Sequence, residues 1–255
     1  MKRLGLKSWA FSAAGLSLLQ RWATWSLVAL LALQAVFAAR IALMARLDPH
    51  STAFMRSEMW RRTHQGAPGQ SPWSQQWVGA DRISVHLKRA VIASEDDGFV
   101  QHAGVDWSAI ETAWGKNQKI ARRSPSGTGD RSAKIVGGST ITQQLAKNLL
   151  LSGERSFVRK GQEFLLTLWL EAFLDKRHIL ELYLNSVEWG DGVFGAEAAA
   201  RRYFGVSAQQ LNPEQAARLA VMLPAPKMFE RRPQSAYLNR RTGTILARMG
   251  SATLP

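Results

Sequence analysis

The most constraining feature of this chain is an apolar stretch close to its N-terminus. Residues 22–39 read WATWSLVALLALQAVFAA and contain no charged side chain. As a helix rising about 1.5 Å per residue, this stretch nearly covers a hydrocarbon core of about 30 Å. Four basic residues and no acidic residue precede it, namely Lys2, Arg3, Lys7 and Arg21. The positive-inside rule therefore predicts a cytoplasmic N-terminus and export of the residues that follow.

Two other interpretations of the apolar stretch are a cleaved signal peptide and a buried helix of a soluble domain. Signal peptides have an apolar region of about 7–15 residues and a small-residue cleavage site. Residues 22–39 exceed that length, and no clean A-x-A sequence closes them. We therefore predict a cytoplasmic N-terminus at residues 1–21, a single transmembrane helix at 22–45 and an exported domain at 46–255.

The charge of the chain indicates an anionic partner. There are 33 Lys and Arg against 19 Asp and Glu, a formal net charge of +14. Such an excess suits nucleic acid, phospholipid headgroups or a phosphorylated substrate. A domain outside the cytoplasm does not routinely meet nucleic acid, so headgroups and phosphorylated substrates remain. The absence of cysteine excludes disulfides, thiolate zinc sites and a cysteine nucleophile.

The part after the apolar stretch has a helical pattern. We predict helices from Ser84 to a stop at Gly98, and over residues 107–114, 139–151, 159–174, 178–184, 193–203 and 213–223. Residues 51–62 form a loosely amphipathic basic helix that suits either a membrane surface or the first core helix. Residues 122–138, rich in Gly, Ser and Arg, form a long loop. Without strand-like alternation, the predicted class is mainly α.

Three adjacent acids, Glu95, Asp96 and Asp97, stand at the end of a predicted helix. They repel one another, and they oppose the negative end of the helix dipole, where cations are favoured. Repulsion and partial burial raise the pKa of one carboxyl and make it a better general base. The alternative is a solvated acidic turn with no chemical role.

A glycine-rich entry precedes the predicted helix at 139–151. Gly137 and Gly138 lead into a Ser/Thr cap. Such a helix start exposes backbone N–H groups and a positive dipole end, which together bind anions. Thr140, Gln144 and Lys147 share one face of this helix and present a hydroxyl, an amide and an ammonium. The alternative is a capped helix with an ordinary polar face.

Arg159 and Glu163 stand one helical turn apart in the segment RKGQE, residues 159–163, so they can pair. A surface salt bridge is the simpler interpretation of this pair. The alternative is an anion clamp with an acid beside it.

Taken in order, five segments resemble the peptidoglycan glycosyltransferase family, and in particular its monofunctional membrane-anchored members. The segments are EDDGFVQHAGVDW (95–107), GGSTITQQLAKN (137–148), RKGQE (159–163), ILELYLNSVEWGDGVFG (179–195) and AAARRYFG (198–205). The similarity covers about residues 52–226, and GGSTITQQLAKN is long and specific. The resemblance implies a lysozyme-like helical glycosyltransferase fold and the polymerisation of lipid II into glycan strands. It also implies that the exported domain at 46–255 is periplasmic and anchored in the cell inner membrane.

The resemblance also assigns site residues. Glu95 takes the position of the family's catalytic base, and Glu163 matches the second acidic residue. The supporting positions of the acidic block are Asp96, Phe99 and His102. The positions that face the pyrophosphate of the donor are Thr140, Gln144, Lys147, Asn148, Arg159 and Lys160. One departure from the family pattern is Val206, where Lys is frequent.

In the implied reaction, Glu95 removes the proton from the 4-hydroxyl of the acceptor GlcNAc while cations stabilise the departing pyrophosphate. Direct displacement inverts the anomeric centre. Glu163 either orients Arg159 or holds a divalent metal, Mg or Mn, that bridges the phosphates, and both possibilities remain open. Residues 122–136 are expected to gate the growing chain.

The expected partners are lipid II, the growing glycan strand, inner-membrane lipids and cell-wall synthesis proteins, with no nucleic acid. Two other functions fit parts of the sequence. A muramidase-type hydrolase on the same fold would need one acid but not the cluster of Lys147 and Arg159. A membrane-tethered binding protein would need neither Glu95 nor Glu163.

Overall fold

The computed structural model describes residues 13–64, 66, 72–123, 138–151 and 156–255. Within these ranges the chain is mainly helical, as the sequence predicts. The helices are α1 (Ala13–Met44), α2 (Ala53–His64), α3 (Val85–Glu95), α4 (Trp107–Arg123), α5 (Ile141–Leu150), α6 (Phe157–Phe173), α7 (Lys176–Ser186), α8 (Ala196–Phe204), α9 (Pro213–Met222), α10 (Pro226–Arg231) and α11 (Ala236–Arg248). Single 3-10 turns lie at Ala80–Arg82, Ala208–Gln210 and Met249–Ser251.

The apolar stretch of the sequence lies within α1. Its segment Ser17–Met44, 28 residues with a mean hydropathy of 2.2, is long and apolar enough to cross a membrane. Residues 17–33 are exposed throughout. Beyond them, one stripe of the helix is partly or fully buried against the rest of the protein, at Gln34, Phe37, Ile41 and Met44. Because most of its apolar surface faces outward, α1 differs from the core helix of a soluble domain, which buries such surface.

The core is built around α3 and α5. α3 packs against α9 and α11, and α5 packs against α2, α6 and α7. Trp189, Tyr183 and Phe99 are large side chains with 0% exposure. The Trp189 indole N–H donates to the Leu219 carbonyl at 3.0 Å. This hydrogen bond satisfies a polar group that would otherwise be buried without a partner. The place of α5 between α6 and α7 brings its polar face to the candidate site.

A small sheet packs against α8. Its strands are β1 (Ser74–Gln75), β2 (Glu188–Gly190) and β3 (Val193–Phe194), in the order β1-β3-β2. β1 runs parallel to β3, with Ser74 opposite Val193, and β2 runs antiparallel to β3 with an irregular register between Glu188 and Gly190. None of these strands is predicted, because segments of two or three residues are too short to show alternation.

The predicted helix at 193–203 is wrong at its start. Val193 and Phe194 belong to β3, and α8 begins only at Ala196. The chain turns between the two elements at Gly195, whose φ of +82° favours glycine. A Cβ at Gly195 would lie 2.8 Å from the Asn185 carbonyl oxygen, so the turn from strand to helix depends on this glycine.

The remaining differences concern the extent of helices. α4 continues to Arg123, which includes the first two residues of the predicted loop at 122–138. Residues 124–137, which include all but the first two residues of the expected gate at 122–136, lie outside the described residues. α2 follows the predicted amphipathic helix and buries Met55 at 1% exposure, while Trp60 on another face is 60% exposed. α10 and α11 have no counterpart among the predicted helices.

Candidate active site

The last residue of α3, Glu95, meets the polar face of α5. The side-chain amide of Gln144 donates to Glu95 Oε2 at 3.0 Å. The Tyr183 hydroxyl on α7 donates to Gln144 Oε1 at 2.9 Å. Ser94 adds a longer contact from its hydroxyl to Glu95 Oε1 at 3.4 Å. Because Tyr183 is fully buried, its hydrogen bond fixes the Gln144 amide with its N–H group toward Glu95.

Burial raises the pKa of the Glu95 carboxyl above its ordinary value. The hydrogen bonds from Gln144 and Ser94 and the charge of Arg241 lower this pKa, and neighbouring Asp96 raises it, but burial is the largest cause. A carboxyl with a raised pKa binds a proton more readily, as a general base working near neutral pH must. Its position in the cleft and its pKa both suit Glu95 to proton transfer.

Asp96 connects the acidic block to the start of α5. Its buried carboxylate pairs through Oδ1 with His102 Nε2 at 2.8 Å and accepts through Oδ2 from the Ile141 N–H at 2.9 Å. A carboxylate at a helix N-terminus interacts favourably with the helix dipole. Burial nevertheless raises the pKa of Asp96, against the effect of both hydrogen bonds. Asp96 and His102 therefore hold α5 in place relative to Glu95.

Three of the predicted site residues lie in the interior. Phe99 is 0% exposed, Thr140 2% and Asn148 8%. The Thr140 side chain caps α5, because its hydroxyl donates to the Gly104 carbonyl at 2.6 Å and accepts from the Gln143 N–H at 3.2 Å. The burial of these side chains leaves them little surface to offer a ligand. In the structure these side chains support the site, although Thr140 also belongs to the lining of the cavity at Glu95; their part in substrate binding stays a prediction.

Lys147 lies on the exposed side of α5. Partial desolvation within the cleft lowers the pKa of its ammonium, the carboxylate of Glu163 opposes this shift, and Arg159 and Lys160 add to it. Glu95 also acts on Lys147 through its charge. Lys147 therefore lies within electrostatic reach of both acids that the sequence singles out.

The RKGQE segment forms the first turns of α6. Glu163 is buried, and its two carboxylate oxygens pair with different cations, Oε2 with Arg159 Nη1 at 3.1 Å and Oε1 with Lys160 Nζ. Among the described residues, Arg159 Nε is buried without a hydrogen-bond partner. A buried donor without a partner is costly and favours an anion beside it. The two interpretations of this segment, a salt bridge and an anion clamp, are therefore compatible. Glu163 orients the Arg159 guanidinium through Nη1, and the Nε–H group of Arg159 remains available for an anion.

Two arginines of α11, Arg241 and Arg248, also reach the cleft. Arg248 Nη2 donates to Asp97 Oδ2 at 3.2 Å, and the charge of Arg241 acts on Glu95. Together with the acidic block and Gly138 they line a cavity of about 220 Å³. Their separation of seven residues places both on one helix face, but nothing in the sequence shows that this face meets the acidic block, so sequence reasoning missed both.

A larger groove, of about 670 Å³, lies between α8, α9 and α10. Its lining includes Arg202, Arg218 and Glu230, and neither Glu95 nor Glu163 is part of it. The larger groove holds an ion pair between Arg202 and Glu230, whereas the smaller cavity holds Glu95, a carboxyl whose pKa is raised by burial, and such groups mark functional sites. The candidate site is therefore the cavity at Glu95 and not the larger groove.

A second cluster of charges joins α2, β2 and α10. Lys227 Nζ lies 2.7 Å from Glu58, 3.1 Å from Glu188 and 3.6 Å from Asp191. Desolvation raises the pKa of Glu188 to about 7, and the hydrogen bond from Arg61 lowers that of Glu58 to about 2. These three acids form a group close enough to hold a metal ion, but Lys227 already contacts all three. The cluster therefore cross-links the fold.

An apolar surface extends over α4 and α6. Phe157 is 98% exposed and Val158 84%, and Trp107 and Trp114 are 67% and 68% exposed. The Trp107 ring lies 6.5 Å from that of Phe164, which joins the two helices into one patch. α6 also packs against the apolar helix α1. An exposed patch of this kind marks an interaction surface.

Known proteins match most of this chain. Residues 63–250 match the family model described as Transglycosylase. The chain is 52% identical to the biosynthetic peptidoglycan transglycosylase of Herminiimonas arsenicoxydans, with 88% of this chain and 92% of the relative covered. It is 50% identical to the protein of that name from Janthinobacterium sp. (strain Marseille), with 88% and 92% covered, and 49% identical to that of Burkholderia orbicola (strain MC0-3), with 93% of each covered. The range matched by the family model includes every candidate site residue.

Proposed function

The chain belongs to the Transglycosylase family, and on this basis we propose that it polymerises lipid II into β-1,4-linked glycan strands and releases undecaprenyl pyrophosphate. Family membership establishes a glycosyltransferase that acts on peptidoglycan, and with it the mainly helical, lysozyme-like fold that the sequence predicts. The proposal adds the donor, the leaving group and the general base.

The observation that carries the proposal is the arrangement of a base and cations around one helix. α5 presents Gln144 to Glu95 and, almost one turn later, presents Lys147 within reach of Arg159. A hydroxyl is a poor nucleophile, so the acceptor sugar requires a base. A pyrophosphate leaves as an anion, so it requires positive charge and N–H donors more than a proton. The exposed side of α5 offers both.

In the proposed reaction, Glu95 accepts the proton of the acceptor's GlcNAc 4-hydroxyl while that oxygen forms a bond to C1 of the donor sugar. The bond between C1 and the pyrophosphate oxygen breaks, and the lipid pyrophosphate departs as an anion beside Lys147 and Arg159. A single displacement of this kind inverts the anomeric centre from α to β. Glu163 holds the Arg159 guanidinium and is therefore a positioning residue in this mechanism.

A divalent metal held by Glu163, one of the two roles left open for this residue, is a poor fit to the residues beside Arg159. Mg²⁺ and similar ions take carboxylate oxygens as protein ligands. Both oxygens of Glu163 already pair with Arg159 and Lys160, so in the described part of the chain that carboxylate has no oxygen free of a cation. In the proposed mechanism Lys147 and Arg159 therefore carry the charge stabilisation.

We also propose that α1 anchors the protein in the inner membrane, with the N-terminus cytoplasmic and the catalytic domain periplasmic. The length and hydropathy of Ser17–Met44 support a membrane span. The packing of Ile41 and Met44, at 0% and 5% exposure, supports retention of the helix, since a cleaved signal peptide would leave these contacts unmade. An anchored enzyme with an apolar surface beside its cleft suits a substrate that carries a lipid.

The test of the proposal supplies labelled lipid II to the purified full-length protein in detergent and separates the products on a gel. We expect a ladder of glycan polymer from the wild type, and a rate about 1,000-fold lower for Glu95→Gln. Glu214→Gln, at an exposed acid of α9, is the matched control and should give the wild-type ladder. Thermal melting of Glu95→Gln should show a folded protein.

Other outcomes of this experiment favour other functions. Shortening of glycan made beforehand, without polymer formation, supports a muramidase-type hydrolase. Binding of lipid II by the wild type without any product supports a tethered binding protein. Full activity of Glu95→Gln rules out Glu95 as the base.

A further inference from the structure

A glutamine in the apolar span of α1 is hydrogen-bonded to a glutamine of α6. The Gln34 side-chain N–H donates to Gln162 Oε1 at 2.8 Å, and the Gln162 amide returns a longer contact of 3.5 Å to Gln34 Oε1. Both side chains are partly buried. A polar side chain inside a membrane span is unfavourable unless it has a polar partner, and such pairs join neighbouring helices.

Gln34 is also the first residue of α1, from Ser17 onward, that is partly buried. Residues 17–33 are exposed, and the buried stripe then runs through Phe37, Ile41 and Met44. At the C-terminal end of this stripe, the Met44 carbonyl oxygen is hydrogen-bonded to His178 Nε2 at 2.8 Å. The docked part of α1 is therefore held by a polar contact at each end, with apolar packing between them.

The partner of Gln34 lies within the RKGQE segment. Gln162 is almost one turn beyond Arg159 and directly precedes Glu163 on α6. The start of this helix makes few contacts of its own, since Phe157 and Val158 are 98% and 84% exposed. Because α1 packs along α6, the Gln34 contact supports α6 at the turn that carries the candidate clamp for the leaving group.

We propose that Gln34 is a positioning residue, which fixes the first turns of α6 through Gln162 and thereby sets the placement of Arg159 for the pyrophosphate of the donor. The anchor helix is on this view a structural component of the donor site as well as a tether. The proposal rests on the proposed polymerisation of lipid II for its kinetic consequence, but the contact between the helices is independent of it.

The test compares Gln34→Leu, Gln162→Leu and the double variant with the wild type, all as full-length protein in vesicles. We expect each single variant to raise KM for lipid II about five-fold, with kcat changed less than about two-fold, since ground-state placement of the donor is weakened. The double variant should match the single variants, because both remove the same contact. Gln34→Asn, which keeps an amide, should recover part of the loss.

Gln20→Leu is the matched control, because it makes the same substitution in the exposed part of α1 and should leave KM unchanged. Hydrogen exchange gives a readout that needs no activity: amides at 157–163 should exchange faster in Gln34→Leu than in Gln20→Leu, with α3 unaffected. Wild-type KM and exchange in Gln34→Leu, or additive effects in the double variant, would overturn the proposal. Absence of polymer from wild type and control alike would instead count against the proposed function.

Discussion

The side-chain amide of Gln144 on α5 donates a hydrogen bond of 3.0 Å to the carboxylate of Glu95 at the end of α3. The Tyr183 hydroxyl holds the other end of the same amide. A hydrogen bond to the charged form of an acid lowers its pKa, while burial raises it. At Glu95 burial has the larger effect, and Gln144 limits how far the pKa rises.

We expect Gln144→Leu to move the acid limb of the kcat/KM profile to higher pH. The Gln144 hydrogen bond lowers the pKa of Glu95, so its loss raises that pKa, and the deprotonated base then requires a higher pH. At neutral pH we expect kcat/KM to fall about 10-fold. Rates of lipid II polymerisation across a pH series measure this. Gln118→Leu, at an exposed glutamine of α4, should leave the profile in place, and an unmoved limb in Gln144→Leu would contradict the argument.

Lys147→Ala should remove activity without removing stability. The Lys147 residue is exposed on α5, but its ammonium is partly desolvated by the cleft, and this desolvation lowers its pKa. The charged side chain therefore contributes little to the stability of the folded state. We expect kcat/KM to fall about 100-fold, as when a charge-stabilising donor is lost, and the melting temperature to change by less than about 2 °C. Lys147→Arg keeps the charge and should recover part of the rate. Parallel losses of rate and melting temperature would indicate a structural role instead.

Local spacing along helices predicts a large part of the candidate site. The helical period places Gln144 and Lys147 on nearly the same side of α5, and the interval from Arg159 to Glu163 predicts their salt bridge, which the structure contains. These relationships depend only on residues a turn apart, which the sequence makes visible. The mainly α class follows from the same periodicity.

Contacts between distant segments are what the sequence does not reveal. Arg248 reaches Asp97 across 151 residues, and neither residue has a local pattern that announces the other. Likewise, nothing in the motif shows that Asn148 and Phe99 turn toward the interior, because the buried side of a helix depends on its tertiary neighbours. The strand at Val193 is hidden for a related reason, since a two-residue strand exists only through its partners.

Asp96→Ala should destabilise the protein far more than Asp97→Ala. Asp96 is buried and satisfies both His102 and the Ile141 N–H, so its loss leaves two partners unpaired and should cost about 2–3 kcal/mol of unfolding free energy. Asp97 is exposed, and its salt bridge to Arg248 should contribute at most about 0.5 kcal/mol. Denaturant unfolding in detergent compares the two. Asp96→Asn keeps an acceptor for Ile141 and should recover most of the loss, and equal effects of the two alanine variants would refute this account.

Glu188→Gln and Glu58→Gln should change stability in opposite directions at pH 8. The pKa of Glu188 is raised from 4.5 to about 7, so the folded state binds the proton more tightly than the unfolded state, and the free energy of unfolding falls as pH rises from about 4.5 to about 7. Glu188→Gln removes this penalty and should raise the free energy of unfolding by up to about 3 kcal/mol.

The pKa of Glu58 is lowered to about 2. The stability that its carboxylate contributes is therefore present above about pH 4.5 and is lost as the pH falls toward 2, so Glu58→Gln should destabilise the protein at pH 8. Denaturant unfolding at pH 4, 6 and 8 checks both variants, and the same sign for both at pH 8 would contradict the assignment of the two acids around Lys227.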